Sequence, residues 1–295
     1  MTAHLTVDKN GKFLIDTKGL SNSLVETLKS IPASRYRKGK RLLGLPPYWS
    51  TVVLLRPVIE NDLLWPTVES GILMSSISRE RKLERARIRS AETLYKKNDC
   101  SLPVPLKNPP MPFQIRCVGF GTRLTSAAYF NRPGTGKTFC ALATAGIRFL
   151  GDEIKRLLVV CPKSVIPVWP KEFNKHAGYD YSISQVKKKW QVPDEEGLEV
   201  IIINYDKIKS RLKDILKWNP DMVILDESHR IGSPTSQRSK ACHKLGDSVK
   251  YKLILTGTPL GQNPLTVWSQ YRFLNKDIFG ISYANFRDEY AKMGG

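Results

Sequence analysis

The chain has 295 residues, 41% of them hydrophobic and 25% charged. That is enough apolar material for a sizeable core and excludes a disordered chain. Lys and Arg outnumber Asp and Glu 47 to 27, giving a formal net charge of +20 and an isoelectric point near 9.8; polyanions, nucleic acid first among them, are the partners such a charge favours. Residues 1–107 hold 19 of the basic and 10 of the acidic residues, so the excess is no detachable tail. The five cysteines (Cys100, Cys117, Cys140, Cys161, Cys242) form no CxxC pair, and several stand in apolar runs, where a reduced thiol packs as a small hydrophobe. The amino terminus carries no signal-peptide core, and no apolar run approaches membrane-spanning length. A soluble protein of a reducing cytoplasm, neither exported nor membrane-bound, is expected.

In chain order, His4 to Asp8 and Lys12 to Asp16 alternate polar and apolar residues around Lys9-Asn10-Gly11, the signal of a β-hairpin. Leu24, Val25 and Leu28 predict a short helix closed by Pro32. Arg35 to Leu45 reads as a basic strand and Trp49 to Ile59 as a helix. Ser34 to Arg41 combines five cations with Tyr36, which suits phosphate contact by Arg35 and Arg37 with base stacking, or equally a solvated basic hairpin. From Ser78 to Lys97 helix formers dominate, with Arg81, Arg85 and Arg89 on one face. The stretch Leu102 to Pro112, with Pro103, Pro105, Pro109, Pro110 and Pro112, cannot continue a helix. The expected organisation is a small basic α+β module over 1–76, a connecting helix and Pro-rich linker over 77–111, and a large α/β domain over 112–295.

Beyond the linker, short apolar runs alternate with helical stretches, the pattern of a parallel sheet covered by helices on both faces. Strands are predicted over Leu157 to Cys161, Val200 to Asn204, Met222 to Leu225 and Lys252 to Thr256. Helices are predicted over Thr138 to Phe149, Ile166 to His176, Lys207 to Trp218 and Ser236 to Leu245. The motifs fall at strand ends, where open α/β sheets bind ligands.

Pro133-Gly134-Thr135-Gly136-Lys137-Thr138 runs directly into an apolar helix. Glycines let backbone N–H groups approach phosphate oxygens, the helix N-terminus favours negative charge, Lys137 can reach the β and γ phosphates, and the Thr138 hydroxyl can ligate Mg²⁺. ATP with Mg²⁺ is the ligand these groups suit. The stricter loop pattern would place glycine at Asn131, and asparagine tolerates unusual backbone angles better than most residues. A Gly-rich turn before a helix is the plainer alternative.

Val223-Ile224-Leu225-Asp226-Glu227-Ser228-His229 is an apolar strand ending in adjacent carboxylates. A strand-end Asp can hold a magnesium ion that bridges phosphates, while the neighbouring Glu orients and deprotonates the attacking water. Alone, the pair could as well cap a helix; the phosphate loop upstream favours catalysis. His229 reads as a structural or coupling residue and not as a metal ligand, since no second His or Cys stands at ligand spacing. The same holds for Cys242-His243.

The order phosphate loop, Leu158 to Ser164, Ile203-Asn204-Tyr205, Asp226 to His229 and Leu255-Thr256-Gly257-Thr258-Pro259 resembles the first RecA-like domain of superfamily 2 helicases. Thr256 to Leu260 followed by Asn263-Pro264, Trp268, Phe273-Leu274 and Phe279-Gly280 is similar to SWI/SNF-type DNA translocases, the bacteriophage helicases of that group included. The resemblance covers about Pro112 to Gly295. It implies a RecA-like ATP-binding domain in which Gln114 reads adenine, an amide being able to pair with both N6 and N7. It also implies that Pro162, Lys163, Ser164, Asn204 and Tyr205 touch the nucleic-acid backbone, and that Thr256 and Thr258, with His229, couple nucleotide state to domain motion.

An ATP-dependent translocase or helicase acting on DNA, duplex more than single-stranded, is the expected function. Motors of this kind need an arginine finger, worth roughly three to five decades in rate. Related motors take it from a second RecA-like domain, which is expected to be absent here and supplied by a second chain; Arg272 and Arg287 stand singly. A non-motor ATP- and DNA-binding module that hydrolyses poorly is the alternative, and retention of Glu227, dispensable for binding, favours the motor.

Overall fold

The computed structural model describes residues 3–18, 20–31, 34–61, 64–96, 104–186, 190–192, 196–261 and 263–291. Two units divide them, residues 1–86 with 279–295 and residues 87–278.

In the first unit, β1 (Ala3–Val7) and β2 (Phe13–Asp16) pair antiparallel with Leu5 opposite Ile15. Alternation puts Ala3, Leu5, Phe13 and Ile15 in the core. The hairpin turn is wider than a two-residue Asn-Gly turn, because the Asp8 carboxylate accepts from the backbone N–H groups of Asn10 and Lys12, with Gly11 at φ +71°. Helix α1 (Asn22–Lys29) starts on Ser21, whose hydroxyl accepts from Leu24 N, and buries Val25 and Leu28.

The stretch expected as one strand over 35–45 is instead two. β3 (Arg35–Arg37) and β4 (Leu42–Leu45) are joined by a 3-10 turn over 38–40 and pair antiparallel. Arg41, at φ +50°, occupies the left-handed region where the chain reverses. Helix α2 (Trp49–Glu60) and β5 (Leu64–Pro66) follow; β5 lies parallel to β1 and completes the order β3-β4-β2-β1-β5. Helix α3 (Val68–Lys96) begins well before the expected Ser78. Its first turns, through Leu73, Met74 and Ile77, pack on the core of this unit, and the helix runs unbroken through 76/77. Lys97 and residues 100–103, which the sequence reading also assigned, lie outside the described residues.

The second unit contains α4 (Pro112–Arg123), β6 (Ser126–Tyr129), α5 (Lys137–Leu150), β7 (Arg156–Cys161), α6 (Val168–His176), β8 (Tyr181–Gln185), β9 (Leu198–Asn204), α7 (Tyr205–Trp218), β10 (Met222–Asp226), α8 (Gln237–Gly246), β11 (Tyr251–Leu255) and α9 (Val267–Leu274). A last helix, α10 (Tyr283–Tyr290), groups with the first unit. Every strand pair of the six-stranded sheet is parallel, in the order β6-β11-β10-β7-β9-β8. Side chains alternate between its two faces. Leu157, Val159, Val200, Ile202, Ile224 and Leu253 meet α4, α5 and α6 on one face; Leu158, Val160, Ile201, Ile203, Val223, Leu225 and Ile254 meet α7, α8 and α9 on the other. Burial on both faces is why these strands read as continuous apolar runs. It also leaves the carboxyl ends of the strands together along one edge of the sheet, which is where the motifs fall.

Arg148 of α5 fastens the first face. Only 4% exposed, it donates to the carbonyls of Gly121, Thr122 and Leu124 at the end of α4, pairs with Glu153 and lies 3.9 Å over the Tyr251 ring. Arg148→Met keeps the stem but leaves buried carbonyls and a carboxylate without their donor. It is expected to lower the unfolding free energy by about 3–5 kcal/mol, read as a shift in urea midpoint; a loss under about 1 kcal/mol would show that water replaces the guanidinium.

Candidate nucleotide site

The loop between β6 and α5 turns on Gly134 and Gly136, both at φ +78°. At Gly136 the reason is also spatial, since a Cβ would fall 2.6 Å from the Gln114 side-chain nitrogen. Gln114 is 8% exposed; its Nε2 donates to Thr135 O at 3.1 Å and its Oε1 accepts from Met111 N at 2.9 Å. The amide thus braces the loop from α4. Lys137 opens α5, and its Nζ donates to the loop's own carbonyls, Asn131 at 3.1 Å and Arg132 at 3.4 Å. The Thr138 hydroxyl has no partner among the described residues. Asn131, which stands where the stricter motif has glycine, contributes its carbonyl to Lys137 and its amide to Cys117 Sγ at 3.4 Å.

At the end of β10, Asp226 is buried, with Oδ2 accepting from Trp169 Nε1 at 3.0 Å. Burial pushes its carboxyl up to about 6 and the Glu227 charge adds to this; the Trp169 and Glu227 N–H donors and the Lys137 charge oppose it. Among the described residues, no cation stands within ion-pair distance of Asp226. Glu227 follows at φ +53°, a left-handed conformation uncommon for a residue with a Cβ. That twist turns the second carboxylate away from the first and toward the end of β11.

There, Thr256 is fully buried and donates to Glu227 Oε2 at 3.3 Å, while its oxygen lies 3.0 Å from His229 Nδ1 and accepts from Thr258 N at 3.1 Å. His229 Nδ1 is also 3.3 Å from Glu227 Oε2. The next residue, Gly257, abuts the phosphate loop, since a Cβ there would meet the Pro133 ring at 3.0 Å. Lys137, Thr138, Asp226, Glu227, His229, Thr256 and Thr258 are therefore drawn from three strand ends into one neighbourhood. His243, by contrast, is buried beside Ser269 and Trp268, and burial holds it neutral, down at about 4.

Other expected positions fall elsewhere. Lys163 and Ser164 are exposed in the 3-10 turn after β7, as a backbone contact requires. Asn204 and Tyr205 serve the fold: the Asn204 side chain caps α7 by accepting from Lys207 N at 3.0 Å, and Tyr205, 2% exposed, donates to Asp226 O at 2.8 Å. The Asn204 amide oxygen and the Tyr205 hydroxyl are thus engaged within the fold. Arg35 and Arg37 are exposed on β3 in the first unit, and Tyr36 between them is half-buried against the core of that unit, with Lys29 Nζ 4.3 Å from its ring centroid. Trp169 was not foreseen. It lies 57 positions from Asp226 in sequence, and nothing local to Val168-Trp169-Pro170 marks a hydrogen-bond donor for a distant carboxylate.

Residues 79–292 match the family model described as the SNF2-related domain. The TATA-binding protein-associated factor MOT1 of Saccharomyces cerevisiae is 29% identical over 139 residues, 46% of this chain and 7% of that protein. Human DNA repair and recombination protein RAD54B is 30% identical over 141 residues, 46% of this chain and 15% of that protein. The SWI2/SNF2 ATPase core of Sulfolobus solfataricus, solved in complex with dsDNA, superposes with a TM-score of 0.57 at 26% identity, over 65% of this chain and 41% of that one. The chain thus spans under half the length of each of these proteins. Among the described residues, no helix is long and apolar enough to cross a membrane. With the phosphate loop, the paired carboxylates and the threonine turn assembled on a parallel sheet, and a family model matching most of its length, the chain belongs to the SNF2-related family.

Proposed function

We propose that this chain binds ATP with Mg²⁺, hydrolyses it, and couples the cycle to movement along duplex DNA. The observation that carries the reading is the contact chain Glu227, Thr256, His229 beside the phosphate loop, which ties the water-activating carboxylate to the turn after β11. Its DNA partner is supported by the net charge of +20, by the exposed Lys163 and Ser164 after β7, and by the dsDNA complex formed by the Sulfolobus relative.

The residues fit the ligand. No group of three His, Cys, Asp or Glu side chains stands together among the described residues. Mg²⁺ suits such a place, being held by one or two protein oxygens with phosphate and water. Asp226, a buried carboxylate with no cation at ion-pair distance among the described residues, and the Thr138 hydroxyl, without a partner among the same residues, would be those oxygens. Held by those two oxygens, Mg²⁺ would supply neutralisation of the charge that develops on the phosphate oxygens.

Lys137 exchanges the carbonyls of Asn131 and Arg132 for phosphate oxygens, so the loop holds it close to its working place beforehand. Gly134 and Gly136 would present backbone N–H groups to the phosphates, and Gln114 would read adenine by exchanging its bonds to Met111 and Thr135 for the base. Glu227 takes the proton of the attacking water, oriented by Thr256 and His229. Through the same residues, the state of the γ phosphate reaches Thr258. Arg272 forms a bidentate pair with Asp247, and Arg287 pairs with Asp288. The charge-stabilising arginine is therefore expected from a second RecA-like domain, in this or another chain.

Lys137→Ala is expected to abolish detectable ATP binding, whereas Glu227→Gln keeps binding and lowers single-turnover hydrolysis by about 10² or more. Wild-type hydrolysis by the Glu227→Gln protein would remove Glu227 from the chemistry. Residues 1–295 alone should bind duplex DNA yet show little DNA-stimulated turnover; vigorous stimulation, lost in Lys137→Ala, would place the arginine within these residues.

Asp226 supplies a prediction of opposite sign for stability. Its carboxyl is raised from 3.8 to about 6, so the folded protein holds that proton more tightly than the unfolded chain. The resulting penalty is absent below pH 3.8, grows as the pH rises, and is complete above 6. Metal-free Asp226→Asn should therefore be more stable than wild type at neutral pH by about 1–3 kcal/mol, with the gain shrinking on acidification, while hydrolysis is lost. A melting temperature at or below wild type at neutral pH would contradict it.

A further inference from the structure

The six-stranded sheet ends at β6, which pairs only with β11 among the described residues. Lys252 N donates to Thr125 O at 2.8 Å and Thr256 N to Tyr129 O at 3.2 Å. With Ile254 opposite Ala128, residues 125, 127 and 129 therefore turn their backbone groups toward β11, and those of Ser126, Ala128 and Phe130 turn outward. Neither the Ala128 carbonyl nor the Phe130 N–H is bonded to another described residue. At this point the edge opens on a cavity of about 340 Å³, lined by Ala128 and Phe130 together with Tyr95, Cys117, Phe120 and Asn131. Small-molecule sites begin at roughly 300 Å³. Tyr95 is exposed and meets half-buried Phe120 edge to face at 6.1 Å, while Phe130 rests against Tyr271 at 6.4 Å.

These walls define what fits. No Lys, Arg, Asp or Glu lines the cavity among the described residues, so it has no charge with which to hold a phosphate or a carboxylate. Aromatic walls suit a flat ring, since every base has a π-face to stack. The outward carbonyl of Ala128 and N–H of Phe130 are an acceptor and a donor side by side, and a backbone pair that borders an apolar wall is better satisfied by a ligand than left unpaired. We propose that the β6-edge cavity binds a neutral, planar nitrogen heterocycle of the nucleobase class, a free base carrying adjacent N–H and C=O groups. Its N–H donates to Ala128 O, its C=O accepts from Phe130 N–H, and its ring packs on Tyr95 and Phe120. The site is separate from the proposed ATP site. Gln114 stands one turn earlier on α4, bonded to Met111 and Thr135, and does not line this cavity.

The test titrates the intact chain with 1-methylthymine, whose N3–H lies between two carbonyls, and with 1,3-dimethylthymine, in which a methyl group replaces that hydrogen. Backbone amide resonances are the readout. Saturable shifts at Phe130 are expected with 1-methylthymine, and binding of the dimethyl compound should be weaker by about tenfold or more, because the Ala128 carbonyl loses its donor. Tyr95→Ala should weaken binding by about fivefold or more, the scale of one base–aromatic stack, and Tyr95→Phe should retain it. Tyr290→Ala, which removes an exposed ring in the other unit, should bind as wild type. The shifts should persist when a non-hydrolysable ATP analogue and Mg²⁺ are added. Absence of a saturable shift at Phe130 in the millimolar range, equal binding of the two thymines, wild-type affinity in Tyr95→Ala, or displacement by the analogue each overturns the site. If the analogue itself does not bind, the ATP reading fails, and the two thymines with the Tyr95 variants still decide this one.

Discussion

The constraint on which the second unit depends is that its parallel sheet is covered on both faces. Such a sheet has no solvent-facing side on which to build a site, so chemistry is confined to the edge where the strands end. Leu225 and Ile224 are each fully buried, one in each core, and Asp226 is the next residue along β10. Its carboxylate is therefore fixed by packing on both sides before any ligand arrives. The neighbouring strands β11 and β7 are held in register with β10, and this sets the spacing between the carboxylates and the threonine turn.

Holding these groups costs stability. Asp226 is kept buried with no cation at ion-pair distance among the described residues, and Glu227 takes a left-handed backbone conformation, worth on the order of 1–3 kcal/mol of strain. Both features stand side by side at the end of β10, and neither has a purely structural benefit. The strain aims Glu227 at Thr256 and His229 and away from Asp226, so two adjacent carboxylates acquire separate surroundings. Fully buried Thr256 anchors this network, while Glu227 and His229 keep over a third of their side-chain surface open to solvent. Lys137, held only by loop carbonyls, is the member free to exchange partners.

The legible parts of this site are those whose chemistry is contiguous. The phosphate loop and the carboxylate pair each occupy a few consecutive residues, and the apolar runs of β7, β9, β10 and β11 marked their strands because both faces of each are buried. The strands β6 and β8 were not legible: Ser126 to Tyr129 is short and built of small residues, and Tyr181 to Gln185 alternates polar and apolar as an edge strand does. In the first unit, β5 is three residues ending in Pro66, which reads as a turn, and the start of α3 carries its signal in contacts to a distant core. Asn204 is instructive, because an asparagine before a helix is a capping signal. The resemblance implied a nucleic-acid role at this position, and the capping bond stands beside it.

Trp169 shows why the remainder lay beyond sequence. Its indole reaches Asp226 only because α6 packs on the sheet face beneath β7 and β10, a relation that exists once the whole unit is folded. The same helix follows directly from the turn bearing Lys163 and Ser164. A displacement of that turn by a bound phosphate backbone would move α6, and with it the indole that donates to the buried carboxylate. The two halves of the proposed function are thus mechanically adjacent. The exposed turn after β7 and the carboxylate at the end of β10 share a single short helix, and a fully buried tryptophan is the rigid link between them.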